Sequence, residues 1–439
     1  MPQDHPTFPR RVPAGRLARG ARMGALVTGL AGGALAEGLR RLARGERPGV
    51  AEAMLSAPNA RRLTGGLAHL RGAAMKLGQM LSLDAAMALP PELEAILAQL
   101  RASAPAMPPA QLKRVLIDAW GRDWHRRFAR FDVTPIAAAS IGQVHRAQTR
   151  DGRDLAIKVQ FPGVRASIDS DIANLGTLLR LAGVVPPGLD LAPLLDEARA
   201  QLHAEADYRQ EARALTVFRD ALADTPGFRV PCLHEDLSTE RVLAMDHVGS
   251  QPIETLAEAS QDVRDRTAGA LIDLVLRELF EIGQMQTDPN FANYRVEPES
   301  GRIVLLDFGA TRAIGPVTAA RFRALLGALL DSERQATADQ MLALGYFAAS
   351  ATGAEKSLIL AMADHAAAPL RQALPYGFAR STLPLEIAEM GRPLGGSRKL
   401  WHIPPAELLF LHRKIAGMFL LAQRLRARVT LRPRLERWR

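Results

Sequence analysis

Cysteine is almost absent. Cys232 is the only one in 439 residues, so the chain cannot form an internal disulfide or a cysteine-rich metal site. Aromatic residues are sparse at 5% and nearly missing from the basic ends, where only Phe8, Phe419 and Trp438 occur. Arms that bind nucleic acid through its bases interleave aromatics with basic residues, so no nucleic-acid partner is expected. Long apolar runs are missing too. The longest near the N-terminus, residues 23–36, has fourteen residues, four of them glycine, against the roughly 17–25 that cross a bilayer. A second run, 408–422, is broken by His412, Arg413 and Lys414. No transmembrane helix is expected.

Lysine is also scarce: only six of the 56 basic residues are lysine, at 76, 113, 158, 356, 399 and 414. Arginine therefore carries the ordinary surface charge, and a lysine marks a place where a compact ammonium is wanted rather than a guanidinium fork. The charge itself is uneven. Nine arginines against three acids lie in residues 1–50 and nine basic residues against one acid in 411–439, so these ends carry +6 and +8 of the net +10, leaving −4 for the body. A basic end meets solvent or an anionic membrane surface. Run 23–36, flanked by Arg19, Arg22, Arg40, Arg41 and Arg44, suits a helix lying in the membrane interface. A secretory signal ending at Ala34-Leu35-Ala36 is the alternative; the long lead holding Pro6, Pro9 and Pro13 argues against it.

What is present points to phosphate chemistry. Residues 131–161 read as a small antiparallel unit: a strand FDVTP, an alanine-rich turn from Ala137 to Gln143, a strand VHRAQT, an Asp151-Gly152 hairpin and a strand DLAIKVQF. In the last strand Leu155, Ile157, Val159 and Phe161 share one face and Ala156, Lys158 and Gln160 the other. Ala156 is thereby placed to roof a flat ring while Lys158 reaches phosphate oxygens. Downstream, RIVLLDFG (302–309) reads as a buried strand ending in Asp307-Phe308-Gly309, and Asp288 precedes Asn293 by five residues. A-x-K on a strand, then D-x-x-x-x-N, then D-F-G, in that order, is the protein-kinase signature. Each piece is weak alone; the three in order are not. Asn293 and Asp307 are oxygen ligands suited to Mg²⁺, and Asp288 is placed to orient or deprotonate an attacking hydroxyl or water. The helical stretch 195–219 holds Glu205, Asp207 and Glu211; Glu211 is the acid expected to pair with Lys158.

Three departures argue against an ordinary protein kinase. The turn over the phosphates is rich in alanine, which narrows backbone approach to phosphate. Extra helical sequence (169–183) separates Lys158 from Glu211. After Asp307-Phe308-Gly309 there is no A-P-E segment, and Gly315-Pro316 leads straight into a helix bearing Phe322, Leu325, Leu326 and Leu329.

Together these residues resemble the UbiB family of atypical kinase-like proteins, nearest to its coenzyme Q biosynthesis branch. The resemblance runs over residues 25–430 and rests on Lys76-Leu77-Gly78-Gln79, AAASIGQVH (137–145), AIKVQ (156–160), Glu205-Ala206-Asp207, Glu211, MQTDPNFANY (285–294) and LLDFGATR (305–312). It implies an α+β, protein-kinase-like two-lobed fold with an N-terminal helical extension and a mostly helical C-lobe. The expected divisions are a basic segment 1–50, an extension 51–130, an N-lobe 131–250 and a C-lobe 251–439. The implied activity is Mg²⁺-dependent ATP hydrolysis, or small-molecule phosphorylation, supporting ubiquinone biosynthesis at a membrane surface. A protein kinase and a nucleotide-gated lipid-binding scaffold are the alternatives.

The implied site takes Lys158 and Asp288 as catalytic and Asn293 and Asp307 as metal ligands. Ala137, Ala138, Ala139, Ser140, Gly142, Gln143, Ala156, Lys158 and Glu211 would surround ATP. Lys76 and Gln79 would be regulatory, meeting Glu205 and Asp207. Anionic membranes or quinone-biosynthesis lipids and proteins are the expected partners, and the expected location is cytoplasmic, peripheral on the inner membrane, with an organellar protein bearing a basic leader as the alternative. The sequence sets no oligomeric state.

Overall fold

The computed structural model describes residues 72–73, 106–139, 141–181, 192–288, 290–348, 350–395 and 405–439. Two compact units emerge: a first within 87–212 and 233–247, and a second within 213–232 and 248–439.

The first unit is organised by a five-stranded antiparallel sheet. Strands β1 (Phe128–Phe131), β3 (Gly142–Thr149), β4 (Asp154–Gln160) and β6 (Val242–Asp246) are neighbours in that order, and β2 (Ala137–Ala138) pairs with β3. Gly152 adopts φ +93° in the turn between β3 and β4, a conformation that suits a residue without Cβ. Alternation along β4 sends Leu155, Ile157 and Val159 into a core with Leu112, Leu116, Phe128 and Val242. Helix α1 (Pro109–Trp120) supplies Leu112, Val115 and Leu116 to that core, their spacing forming one stripe. Helices α2 (Val164–Leu181) and α3 (Ala192–Glu205) follow β4.

Two local expectations are corrected. The first strand is Phe128–Phe131 rather than FDVTP: Asp132 still gives its N–H to the Arg146 carbonyl at 2.9 Å, but residues 133–135 leave the ladder, where Pro135 has no N–H to give it. The stretch 195–219 is not one helix. It breaks at 206–207, and α4 runs Tyr208–Ala221, because Asp207 caps the new helix by accepting the Arg209 N–H on Oδ1 at 3.1 Å.

The second unit is mostly helical. Helices α5 (Gln261–Arg277), α6 (Pro316–Leu330), α7 (Arg334–Leu344), α8 (Gly353–Ala367), α9 (Leu383–Gly395) and α10 (Ala406–Arg424) surround short strands. Strands β5 (Phe228–Arg229), β10 (Ile303–Leu305), β9 (Tyr294–Val296) and β7 (Gln251–Pro252) form one sheet; β8 (Gln284–Gln286) pairs with β11 (Thr311–Ala313), and β12 (Tyr376–Gly377) with β13 (Arg428–Val429). Helix α6 starts at Pro316, seven residues after Gly309, with proline in the first turn where no N–H is needed. Among the described residues, no helix is long and apolar enough to cross a membrane.

Candidate functional site

In the first unit, β4 delivers Lys158 to the sheet face opposite the apolar core. Its ammonium donates to both oxygens of Glu211, at 2.8 and 2.9 Å. The pair is buried, with the lysine side chain 9% exposed and the glutamate 1%. The Tyr208 ring lies 5.3 Å from the ammonium, close enough for a cation–π contact. One register step on, Gln160 donates from Nε2 to the Ala206 carbonyl at 2.9 Å. This bond pins the Glu205-Ala206-Asp207 segment to β4 and so fixes where α4 begins.

The alanine-rich turn is a β2–β3 hairpin, with Ala137 opposite Val144, Ala138 opposite Gln143, and the Ala139 N–H bonded to the Gly142 carbonyl at 2.9 Å. Gly142 is sterically required: a Cβ there would lie 2.5 Å from the Val159 carbonyl oxygen and 2.8 Å from the Tyr208 hydroxyl. The Gln143 side chain faces the interior. Its Oε1 accepts the Met107 N–H at 2.7 Å, and its Nε2 lies 2.8 Å from His145 Nε2. His145 Nδ1 lies 2.7 Å from the Asp132 carbonyl, which makes Nδ1 the protonated nitrogen and Nε2 an acceptor. Burial lowers the His145 pKa, against the smaller upward pull of Asp132. Ala156 is partly buried on β4.

The second unit holds the acidic half. Asp288 and Asn293 lie on the loop between β8 and β9. Asn293 donates from Nδ2 to the Asp288 carbonyl and to Asp288 Oδ2, both at 3.3 Å. Those bonds identify the nitrogen end of the amide and leave its oxygen end to accept or to ligate. Asp307 follows β10, and its Oδ1 accepts the Gly309 N–H at 2.9 Å. Phe308 is buried against Phe218 with ring centroids 5.0 Å apart, which anchors the D-F-G turn by its middle residue. Asn293, Asp307, Gln286, Tyr294 and Glu278 line one small recess. Among the described residues no cluster of three or more His, Cys, Asp or Glu is built to cage a metal. An Asn–Asp pair bordering a recess fits Mg²⁺, which keeps waters and phosphate oxygens as its remaining ligands.

The structure thus joins Lys158 to Glu211 and Asp288 to Asn293. Lys76, Gln79 and Ser140 lie outside the described residues. Sequence reasoning put Gln160 on the face of Lys158 without giving it a role, and it missed Tyr208 and a buried group in the second unit: Lys414 with Glu278, Gln286 and Tyr294. The scarcity of lysine was the available signal for Lys414, since it interrupts an apolar run.

A family model described as the ABC1 atypical kinase-like domain matches residues 99–341. The atypical kinase coq-8, mitochondrial, of Caenorhabditis elegans is 39% identical over 95% of this chain and 56% of its own length, so the chain spans little more than half of that relative. The rat atypical kinase COQ8B, mitochondrial, is 37% identical over 96% of this chain and 80% of its own. The yeast atypical kinase COQ8, mitochondrial, is 34% identical over 95% and 83%. Among solved structures, the Rv3197–erythromycin complex of Mycobacterium tuberculosis aligns with a TM-score of 0.59 at 26% identity, covering 88% of this chain and 97% of that one. The fold is kinase-like, and the chain belongs to the ABC1 atypical kinase-like family.

Proposed function

We propose that the chain is an atypical kinase-like ATPase that binds and hydrolyses Mg²⁺–ATP in support of ubiquinone biosynthesis. The observation that carries this reading is the buried Lys158–Glu211 pair, an ammonium held at 2.8 and 2.9 Å by a carboxylate on the sheet face opposite the apolar core. Lys158 neutralises phosphate oxygens, and Glu211 fixes its direction. Asn293 and Asp307 would hold the cation, which would supply charge neutralisation to the phosphates. Asp288 orients the attacking water and takes its proton as the oxygen bonds to the γ-phosphorus, while the bond from that phosphorus to the β,γ-bridging oxygen breaks and its electron pair leaves with ADP. Backbone groups from Ala137 to Gly142 border the nucleotide, Ala156 roofs its base, and Gln143 acts there through its main chain, its amide being committed to Met107 and His145.

Lys76 and Gln79, acting on Glu205 and Asp207, are read as regulatory, and the basic ends as the membrane-facing surface of a protein peripheral on the inner membrane. The C-lobe is read as residues 251–439 and the N-lobe as 131–250. The acceptor is water, or a small molecule of quinone metabolism. The test is thermal unfolding with Mg²⁺–ATP, followed by turnover with anionic vesicles. Ligand at 100 times its dissociation constant stabilises by about 2.7 kcal/mol. Wild type is expected to shift and Asp307→Ala is not; equal behaviour of the two overturns the reading.

A further inference from the structure

Lys414 is fully buried, and the side chains to which its ammonium bonds stand 120, 128 and 136 residues away. It lies on α10, where Leu411, Met418 and Leu421, continued by Leu425 at the C-cap, form the buried stripe, while Ile415 and Leu420 point outward at 50% and 42% exposure. The stripe therefore carries the ammonium inward in place of a leucine. There its three donors meet three acceptors: Tyr294 Oη at 2.9 Å, Gln286 Oε1 at 3.3 Å and the Glu278 carboxylate at 3.0 Å. The Tyr294 hydroxyl donates in turn to Gln286 Oε1 at 3.2 Å. Glu278 opens a π-helical turn, Glu278–Ile282, that ends α5, a widening common at functional positions.

The place of these acceptors in the chain matters more than their number. Gln286 is the last residue of β8 and Tyr294 the first of β9, so they are the two ends of the loop holding Asp288 and Asn293. The same two residues register with the strands that bracket Asp307: Tyr294 opposite Leu305 and Gln286 opposite Thr311. The Leu306 N–H also bonds to the Asn293 carbonyl at 3.2 Å. One ammonium thus closes the base of both loops. The Gln286 amide nitrogen is buried with no hydrogen-bond partner among the described residues. Gln286 lines the same recess as Asn293 and Asp307, with about 10 Å³ free, room for one water.

We propose that Lys414 is a positioning residue: by tying Gln286 to Tyr294 it sets the separation of Asn293 and Asp307 for a divalent cation. This rests on the reading of those two residues as metal ligands. Outer groups that orient ligands change metal affinity by about 10–100-fold when removed.

The probe is Mn²⁺ with a non-hydrolysable ATP analogue, followed by the loss of the free Mn²⁺ paramagnetic signal on the full-length protein. The variant is Lys414→Met with Glu278→Gln, which removes both charges at once and avoids stranding either. Cooperative melting checks its fold. The expected result is tenfold or greater weakening of Mn²⁺ binding with metal-free analogue affinity unchanged, and a matching rise in the Mg²⁺ needed for half-maximal hydrolysis. Unchanged Mn²⁺ affinity in the folded variant overturns the proposal and leaves the metal-site reading standing. If the double variant does not fold, Tyr294→Phe takes its place; severalfold weakening supports the proposal and none overturns it. Wild type that takes up no Mn²⁺ with the analogue overturns the metal-site reading and this proposal with it.

Discussion

Among the described residues each unit buries one lysine–glutamate pair beside a tyrosine ring, and the two pairs are built differently. Lys158 gives two bonds to one carboxylate, with Tyr208 at 5.3 Å and 9% of its side chain exposed. Lys414 spreads its bonds over three residues from three elements, with Tyr294 at 5.5 Å and nothing exposed. A chelated, slightly accessible ammonium is a charge aimed at something else. An ammonium divided among separate elements is a fastener. Burial pushes the Glu278 carboxyl up to about 7 against the pull of Lys414; burial works against the Lys414 charge as well, but Glu278 and Tyr294 outweigh it and hold that pKa above its ordinary value.

Breaking the fastener by one member gives the largest expected effect. Lys414→Met leaves the Glu278 carboxylate buried without its cation, and stranding one charge of such a pair costs about 3–5 kcal/mol. Chemical denaturation should show a fall of that size, and adding Glu278→Gln should restore much of it. A single variant as stable as wild type would mean that the pair is not what holds these elements. Next in size is Lys158→Met, which should lower ATP turnover by about 10²–10³-fold, as loss of one preorganised electrostatic donor does. Steady-state hydrolysis with anionic vesicles reads this directly. Equal turnover in wild type and variant would remove Lys158 from the chemistry and the contrast with Lys414 with it.

Third is Gly142→Ala. The added Cβ would meet the Val159 carbonyl oxygen at 2.5 Å, backbone that cannot swing aside as a side chain does. Overpacking of this kind costs about 1–3 kcal/mol. Because Gly142 also abuts Tyr208, the strain reaches the ring beside Lys158, so nucleotide affinity should fall together with stability. A variant that loses stability but binds nucleotide as before would separate the hairpin from the pair.

The difference between the pairs also explains what could be read in advance. Lys158 sits in a local pattern: strand alternation puts it on the face opposite Leu155, Ile157 and Val159, and the A-x-K context names its chemistry. Asp288, Asn293 and Asp307 are legible for the same reason, each lying within a few residues of the others in its motif. Lys414 belongs to no motif. Its partners are 120, 128 and 136 residues away, and only packing of α10 beside β8 and β9 brings them together. The break at Asp207 was hidden differently. The sequence on both sides is strongly helical, and a capping aspartate looks like any other acid on a helix face until its backbone partner is known. The strand at Phe128–Phe131 was displaced toward FDVTP by the same limitation, since β-branched Val133 and Thr134 carry strand propensity that the ladder does not use.

The smallest effect tests whether the stem of the alanine-rich turn is as dry as Lys414's surroundings. His145 is fully buried and stacks on Phe131 at 5.5 Å. Burial holds its pKa below the ordinary 6.5, the bond to Asp132 offsetting this only in part. In the unfolded chain His145 therefore takes up a proton below about 6.5 that the folded protein refuses. The unfolded state binds more protons in that window, so stability rises with pH through it and falls as pH drops from 6.5 toward the lowered folded value. His145→Gln keeps an amide in the cluster and cannot titrate. Melting temperatures of the two proteins between pH 5 and pH 8 should differ most above 6.5 and converge on acidification, the wild type losing the difference. A gap that stays constant across that range would mean that His145 titrates alike folded and unfolded. The hairpin stem would then be wet, and the dry, divided arrangement around Lys414 would have no counterpart in the first unit.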